Sequence, residues 1–307
     1  MNLSFVSFGC HNLTAGSSRQ RSMRLVSCAL DLGITRFDVA PSYGMGTAER
    51  MLGDALGPHR NDSRLEITSK FGRTPERYGT FKSWLREPYR WARQWNSGGR
   101  ELGHVVKPVV IAASNPIDAV DLIGPRKAAE RSLSALRVER LGTFLTHEAV
   151  ASIRRAPVLE ELAMLQRHGL AVRTGFSGEI ESVLAMVLAN GGSAEVAQVS
   201  ILDLRTLPMV GERRGFNLSH LAQRLLDNES LRRSLANELG RACFGTALSA
   251  SLTWAHTEFP KGVFLVNAST PARLTSLLTP VLEDKLVGWA NVNTSAMLAI
   301  ATRGNAV

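Results

Sequence analysis

Between residues 36 and 46 the chain reads "RFDVAPSYGMG". An apolar alternation runs into Asp38, and five residues later Tyr43 stands between Ser42 and Gly44. Two further apolar runs end in the same manner: "RLEITSK" (64–70) on Lys70 and "GTFLTH" (142–147) on His147. Each residue alone has an ordinary reading. A strand-end Asp caps a turn, a loop Tyr packs, a Lys after a strand is solvated, and a lone His is structural. Together they bring a carboxylate, a phenol, an ammonium and an imidazole to the ends of three successive strands. A phenol beside an ammonium is a proton donor whose acidity its neighbour sets.

The elements that must carry these groups follow from periodicity. Short apolar runs at 3–9, 35–40, 64–70, 142–147, 170–177, 195–201 and 262–267 read as strands. Helical stripes separate them at 21–33, 47–57, 126–137, 157–169, 179–189, 242–256 and 271–278. Strand–helix alternation over the whole length implies parallel strands joined by crossover helices. Seven strands are recognisable. An eighth has to fall within 202–240, where no apolar run of the right kind exists, so the seventh strand is expected to be short or irregular, with an extra helix beside it. A (β/α)8 TIM barrel with a degenerate strand-seven region fits better than an open sheet. The barrel is expected to form a single domain over 1–307. Chemistry in such barrels gathers at the C-terminal ends of the strands, where all four side chains fall.

Composition sets the limits. The chain has 307 residues, 44% of them hydrophobic, which is enough for a substantial core and excludes disorder. Its formal charge of +9 favours anionic partners without choosing among them. Cys10, Cys28 and Cys243 are too few and too widely spaced for a disulfide framework. The start, "MNLSFVSFGCHNLTAG", lacks the pattern of a signal peptide, and no apolar run reaches the roughly 18 residues of a membrane span, so the cytoplasm is the expected location. The seven histidines show no metal-ligand spacing, and no metal is expected. Cys10 and His11 follow the first strand and are placed to line a pocket at the mouth.

A long interruption at about 71–120 follows the third strand. Residues 73–107 carry eight Lys/Arg against three Glu, together with Tyr78, Phe81, Trp84, Tyr89, Trp91 and Trp95. On a helix, Trp84, Trp91 and Trp95 share one face and Arg86, Arg90 and Arg93 form an opposed basic stripe. Three readings stand: a lid over a pocket for a bulky, anionic substrate, a segment docked on the barrel by its aromatics, or a nucleic-acid surface. No RNA- or DNA-binding motif accompanies it, so nucleic acid is not the expected partner.

Several stretches resemble the aldo-keto reductase family. "LGITRFDVAPSYGMGTAERMLGDAL" (32–56) is very close to the family's signature around its Asp and Tyr. "EITSKFG" (66–72) is similar to the strand carrying its Lys, and "AAERSLSALRVERLGTFLTHE" (128–148) to the helix and strand leading to its His. "LQRHGLAVRTGFSG" (165–178) and "VAQVSILDL" (196–204) resemble the next two strands. The resemblance implies a catalytic tetrad of Asp38, Tyr43, Lys70 and His147 and reversible NAD(P)H-dependent reduction of a carbonyl on a small or medium-sized metabolite. Tyr43 is then the acid–base, Lys70 lowers its pKa, Asp38 holds Lys70, and His147 orients the carbonyl. It also implies that Ser177 and Gln198 hold the nicotinamide amide and that Arg273 meets the adenosine phosphate.

The cofactor motifs depart from the family's. Gly178 stands where the family has Asn, and Asn267, Ala268 and Leu277 replace its Lys, Ser and Asn around Arg273. The tyrosines are Tyr43, Tyr78 and Tyr89, so no strand-seven Tyr can stack on the nicotinamide, and Phe216 is the one aromatic in 202–240. Arg273 favours NADPH over NADH and reads equally as an ordinary exposed helix residue. Two alternatives therefore stay open: a cofactor-independent lyase or isomerase reusing the tetrad, and a barrel that binds a partner through 73–107. The sequence leaves the oligomeric state open.

Overall fold

The computed structural model describes residues 2–14, 19–72, 124–147, 156–207 and 210–302. Eight parallel strands close in sequential order into a barrel. They are β1 (Val6–Gly9), β2 (Arg36–Asp38), β3 (Glu66–Phe71), β4 (Leu141–Thr146), β5 (Ala171–Ser177), β6 (Ala194–Ser200), β7 (Val210–Phe216) and β8 (Val263–Val266). Between β1 and β3 lie α1 (Arg19–Asp31) and α2 (Ala48–Leu56). Then come α3 (Pro125–Leu136), α4 (Ala156–Arg167) and α5 (Ile180–Ala189). After β7 come α6 (Leu218–Asp227), α7 (Glu229–Leu239) and α8 (Phe244–Glu258), and after β8 come α9 (Pro271–Leu282), α10 (Val287–Val292) and α11 (Thr294–Thr302).

The period-2 alternation of each strand divides two environments. Phe8, Phe37, Ile67, Phe144, Phe176, Ala197 and Val199 are buried in the apolar core that the helices cover. The helices meet them with stripes at helical spacing, such as Leu25, Val26 and Ala29 on α1 and Ala48, Met51, Leu52 and Leu56 on α2. The alternate residues point into the barrel, and there the chain is polar. Ser7, Asp38, Thr68, Lys70, Thr143, Gln198 and Arg214 are all buried.

Contacts across the barrel show that Arg214, Thr68 and Thr143 face inward. Arg214 on β7 donates to Thr68 Oγ1 on β3 at 2.5 Å and to Thr143 Oγ1 on β4 at 2.9 Å, strands that are not its neighbours. At the N-terminal end of the barrel three guanidiniums share two carboxylates. Glu66 meets Arg173 and Arg214, both at 2.6 Å, and Glu212 meets Arg173 at 3.0 Å, Arg36 at 3.1 Å and Arg214 at 2.7 Å. Burial alone would raise the pKa of the Glu212 carboxyl, but Arg214, Arg36 and Arg173 outweigh it and hold the group at about 2.

This cluster corrects the expectation for the seventh strand. β7, "VGERRGF", is neither short nor irregular: it has seven residues and pairs with β6 at six positions. It lacks an apolar run because Glu212 and Arg214 point inward to partners on β2, β3, β4 and β5. The expected extra helix is present as α6 and α7. Among the described residues the β6–β7 connection holds a 3-10 turn, Ile201–Thr206. The C-terminal α11 packs on that turn and on α6, and Arg224 of α6 donates to the Ile300 carbonyl at 2.7 Å. The proposed lid helix of 73–107 lies outside the described residues.

The floor cluster makes stability depend on acid. Glu212 stabilises the fold above its unfolded pKa near 4.5, and that contribution is lost as the pH falls through about 2. The stabilisation at stake is on the order of 3 kcal/mol. Glu212→Gln should lower the urea midpoint at pH 7 and flatten the decline between pH 5 and 2. An unchanged slope in that window would remove Glu212 from the acid response.

Candidate active site

The four side chains singled out in the sequence do converge at the C-terminal mouth. Asp38 is the last residue of β2, Lys70 the penultimate residue of β3, and His147 directly follows β4. Tyr43 opens a 3-10 turn, Tyr43–Gly46, between β2 and α2. Lys70 Nζ donates to Asp38 Oδ1 and to the Tyr43 hydroxyl, the latter at 3.3 Å, and lies 5.0 Å from the centre of the Tyr43 ring. The His147 backbone N–H is fixed on the Phe71 carbonyl at 2.6 Å, and its ring meets Tyr43 edge to face at 5.6 Å. His11 packs on Tyr43 in the same way at 5.0 Å. Cys10 is buried, its N–H bonded to the Asp38 carbonyl at 2.8 Å. Burial, with Asp38 beside it, raises that thiol well above its ordinary value, which suits packing rather than nucleophilic work.

Electrostatics at the centre is a contest between burial and pairing. Burial works against the Lys70 ammonium, but Asp38 and Tyr43 outweigh it and raise the pKa, so Lys70 stays charged. The Tyr43 phenol differs from expectation. Burial raises its pKa, Lys70 lowers it, Asp38 raises it again, and the net direction is upward. Lys70 pulls as foreseen; the cost of placing a phenolate out of water outweighs it.

Two of the three residues expected to meet the cofactor lie side by side. Ser177 ends β5 and pairs in register with Gln198 of β6, and both are buried. Ser177 N–H donates to Thr146 Oγ1 at 3.2 Å, and Gly178 N–H to the Gln198 carbonyl at 3.1 Å. Gln198 Oε1 is buried without a partner among the described residues. An orphaned amide oxygen beside a serine hydroxyl suits a carboxamide, which has a donor for one and an acceptor for the other. Phe216 closes β7 opposite Ser200 and is half-buried.

Arg273 stands apart on the first turn of α9. It is exposed, with its guanidinium on Ser269 Oγ at 2.8 Å. Arg21 of α1 joins it, donating to the Ser269 carbonyl at 2.8 Å, a second cation that no local pattern of residues places there. Ala268 and Leu277 are buried among apolar neighbours. Asn267 leans across the end of β1. A Cβ on Gly9 would lie 2.1 Å from Asn267 Oδ1, so Gly9 is the residue that lets this side chain reach the mouth. Among the described residues no His, Cys, Asp and Glu cluster of three or more could hold a metal ion, and no helix is long and apolar enough to cross a membrane.

The closed parallel barrel thus gathers a phenol, an ammonium, a carboxylate and an imidazole at its mouth. The chain belongs to the aldo/keto reductase family, whose sequence model matches residues 6–228. Solved relatives share the fold at low identity. An aldo-keto reductase from Klebsiella pneumoniae, solved in complex with NADPH, is 14% identical over 98% of this chain and 92% of its own, with a TM-score of 0.61. A thermostable aldo-keto reductase bound to the inhibitor epalrestat is 16% identical over 96% and 94%, at 0.60. A putative aldo-keto reductase from Pseudomonas aeruginosa is 17% identical over 94% and 91%, at 0.53. Among curated proteins none matches.

Lys70→Met should strand Asp38 as an unpaired buried carboxylate and cost about 3–5 kcal/mol. Adding Asp38→Asn should restore much of that loss, a strongly non-additive cycle readable by urea denaturation. Additive losses would mean that the two groups are not energetically coupled.

Proposed function

We propose that this protein reduces an aldehyde or ketone with a nicotinamide cofactor, NADPH ahead of NADH, in a reaction that also runs in reverse. The contact between the Tyr43 hydroxyl and the Lys70 ammonium at 3.3 Å carries the reading. Reduction builds alkoxide charge on the substrate oxygen, and a phenol held at that oxygen supplies the proton that quenches it. Lys70 stabilises the phenolate left behind, and Asp38 holds the ammonium in place. His147, packed edge-on against the phenol, orients the carbonyl.

The bound nicotinamide would supply the hydride. Ser177 and Gln198 would hold its carboxamide, since Gln198 Oε1 is buried and without a partner among the described residues. Phe216 would take the place of the missing strand-seven Tyr beside the nicotinamide. At the other end Arg273, with Arg21 beside it, offers charge to a 2′-phosphate. The substrate is a small-molecule carbonyl or alcohol.

Cofactor fluorescence separates this reading from a lyase on the same tetrad. Micromolar quenching with NADPH, weaker with NADH, is expected, and no binding at millimolar cofactor would sink the proposal. Tyr43→Phe removes the proton and little else. It should lower kcat by at least a thousandfold while leaving the NADPH Kd within about twofold. Most of kcat surviving would exclude Tyr43 as the acid–base.

A further inference from the structure

Glu49 is a buried carboxylate to which the reaction above assigns no task. It sits on the first turn of α2 and is 7% exposed. Its Oε1 accepts from Ser69 Oγ at 2.6 Å, and Ser69 Oγ lies 3.1 Å from Ser132 Oγ of α3. Both serines are fully buried. Burial raises the Glu49 pKa against the pull of the two hydroxyls and Lys70. A buried carboxyl group is costly where an apolar side chain would pack, so its retention points to geometry.

Two neighbours in the chain explain what that geometry holds. Ser69 precedes Lys70 on β3, so the two side chains leave the strand on opposite faces. Lys70 points into the barrel, and Ser69 points outward beneath α2 and α3. Glu49 lies six residues after Tyr43 in one stiff unit. The Tyr43–Gly46 turn is closed by Thr47 Oγ1 donating to the Gly44 carbonyl at 2.7 Å, and α2 starts with Met51 N–H on the Thr47 carbonyl at 2.9 Å. Gly44 has φ +56, and a Cβ there would lie 2.0 Å from the Leu13 carbonyl oxygen, so the unit is pressed onto the segment after β1. The unit therefore grips β3 from both sides. Inside, Tyr43 meets Lys70; outside, Glu49 meets Ser69.

We propose that Glu49 is a positioning residue: with Ser69 and Ser132 it forms a clamp behind β3 that fixes the separation of the Tyr43 hydroxyl from the Lys70 ammonium. For activity this rests on Tyr43 being the acid–base, whereas the separation itself is open to direct measurement. Lys70 is the neighbour that favours the phenolate, so a loosened clamp makes the phenol a weaker acid.

Tyrosine labelled at Cζ provides the readout, because the chain has three tyrosines and Tyr43→Phe assigns the line. The charged and titratable groups facing Tyr43 are Lys70, Asp38, Cys10, His11 and His147, none of which is altered in the test. Ser69→Ala and Glu49→Leu should displace the Tyr43 line at neutral pH and raise its ionisation midpoint by about one pH unit. Glu49→Gln keeps an acceptor for Ser69 and should stay near wild type. Glu49→Leu should also lower kcat about tenfold, with KM and the NADPH Kd within about twofold. An unmoved Tyr43 line and midpoint in folded Ser69→Ala and Glu49→Leu would overturn the clamp, as would a Glu49→Gln variant as impaired as Glu49→Leu. A wild-type protein that reduces no carbonyl would remove the functional reading, and the Tyr43 line would still judge the clamp.

Discussion

Lys70 and Asp38 form an ion pair inside a barrel, and much of the molecule is arranged around that fact. Both side chains are almost wholly removed from water, at 1% and 0% exposure. Removing two such charges from water costs several kcal/mol each, and their attraction offsets this only where the geometry is good and further polar groups surround them. The usual filling of a (β/α)8 barrel is stacked layers of branched apolar side chains. Here Ser7, Thr68, Thr143, Gln198 and Arg214 take those places. Four cations, Lys70, Arg36, Arg173 and Arg214, face three carboxylates, Asp38, Glu66 and Glu212. Apolar burial accordingly lies between sheet and helices, where Phe8 and Phe37 meet edge to face and Phe71 stacks on Phe144.

That division explains what could be read from the sequence. β2, β3 and β4 were legible because their outward residues are apolar and their inward chemistry falls at the strand ends. Tyr43, Lys70, Asp38 and His147 could therefore be placed at one mouth before any coordinates. β7 was illegible for the opposite reason. Its inward positions carry charge, and charge in a sequence window reads as solvated surface. The partners that neutralise Glu212 and Arg214 lie on β2, β3 and β5, as much as 176 residues away, so no local pattern reveals them. Glu49 was hidden similarly, its partners Ser69 and Ser132 being ordinary residues until the fold brings them together. The acidity of Tyr43 was half legible. The sign of the Lys70 effect follows from residue types, whereas the burial that outweighs it is a property of the assembled mouth.

The two ends of the proposed cofactor site differ in how they depart from the family pattern. At the nicotinamide end Ser177 and Gln198 stay paired in register, and the lost Asn falls at Gly178, whose φ of +152 suits glycine better than a side chain. At the adenosine end the substitutions are chemical. Ala268 and Leu277 are absorbed into apolar packing, and Asn267 turns across Gly9 toward the mouth. Charge there rests on Arg273 and Arg21, both of which already bond to Ser269. A ligand phosphate would compete with those bonds, so the net gain from each guanidinium is smaller than that of a free one.

The upward direction of the Tyr43 pKa bears on which way the proposed reaction is poised. A donor must carry its proton when hydride arrives, and a phenol raised by burial is fully protonated near neutral pH. An alkoxide is a much stronger base than a phenolate, so the transfer remains favourable even from a weakened acid. The reverse reaction needs the phenolate at the start, and there burial is a penalty that Lys70 offsets only in part. In the proposed reaction, a site that keeps its acid buried and its ammonium charged would favour carbonyl reduction near neutral pH and move alcohol oxidation toward alkaline conditions. Lys70 would then do most for the proposed reduction as negative charge reaches the phenol oxygen, late in proton transfer, when its 3.3 Å contact becomes an ion pair.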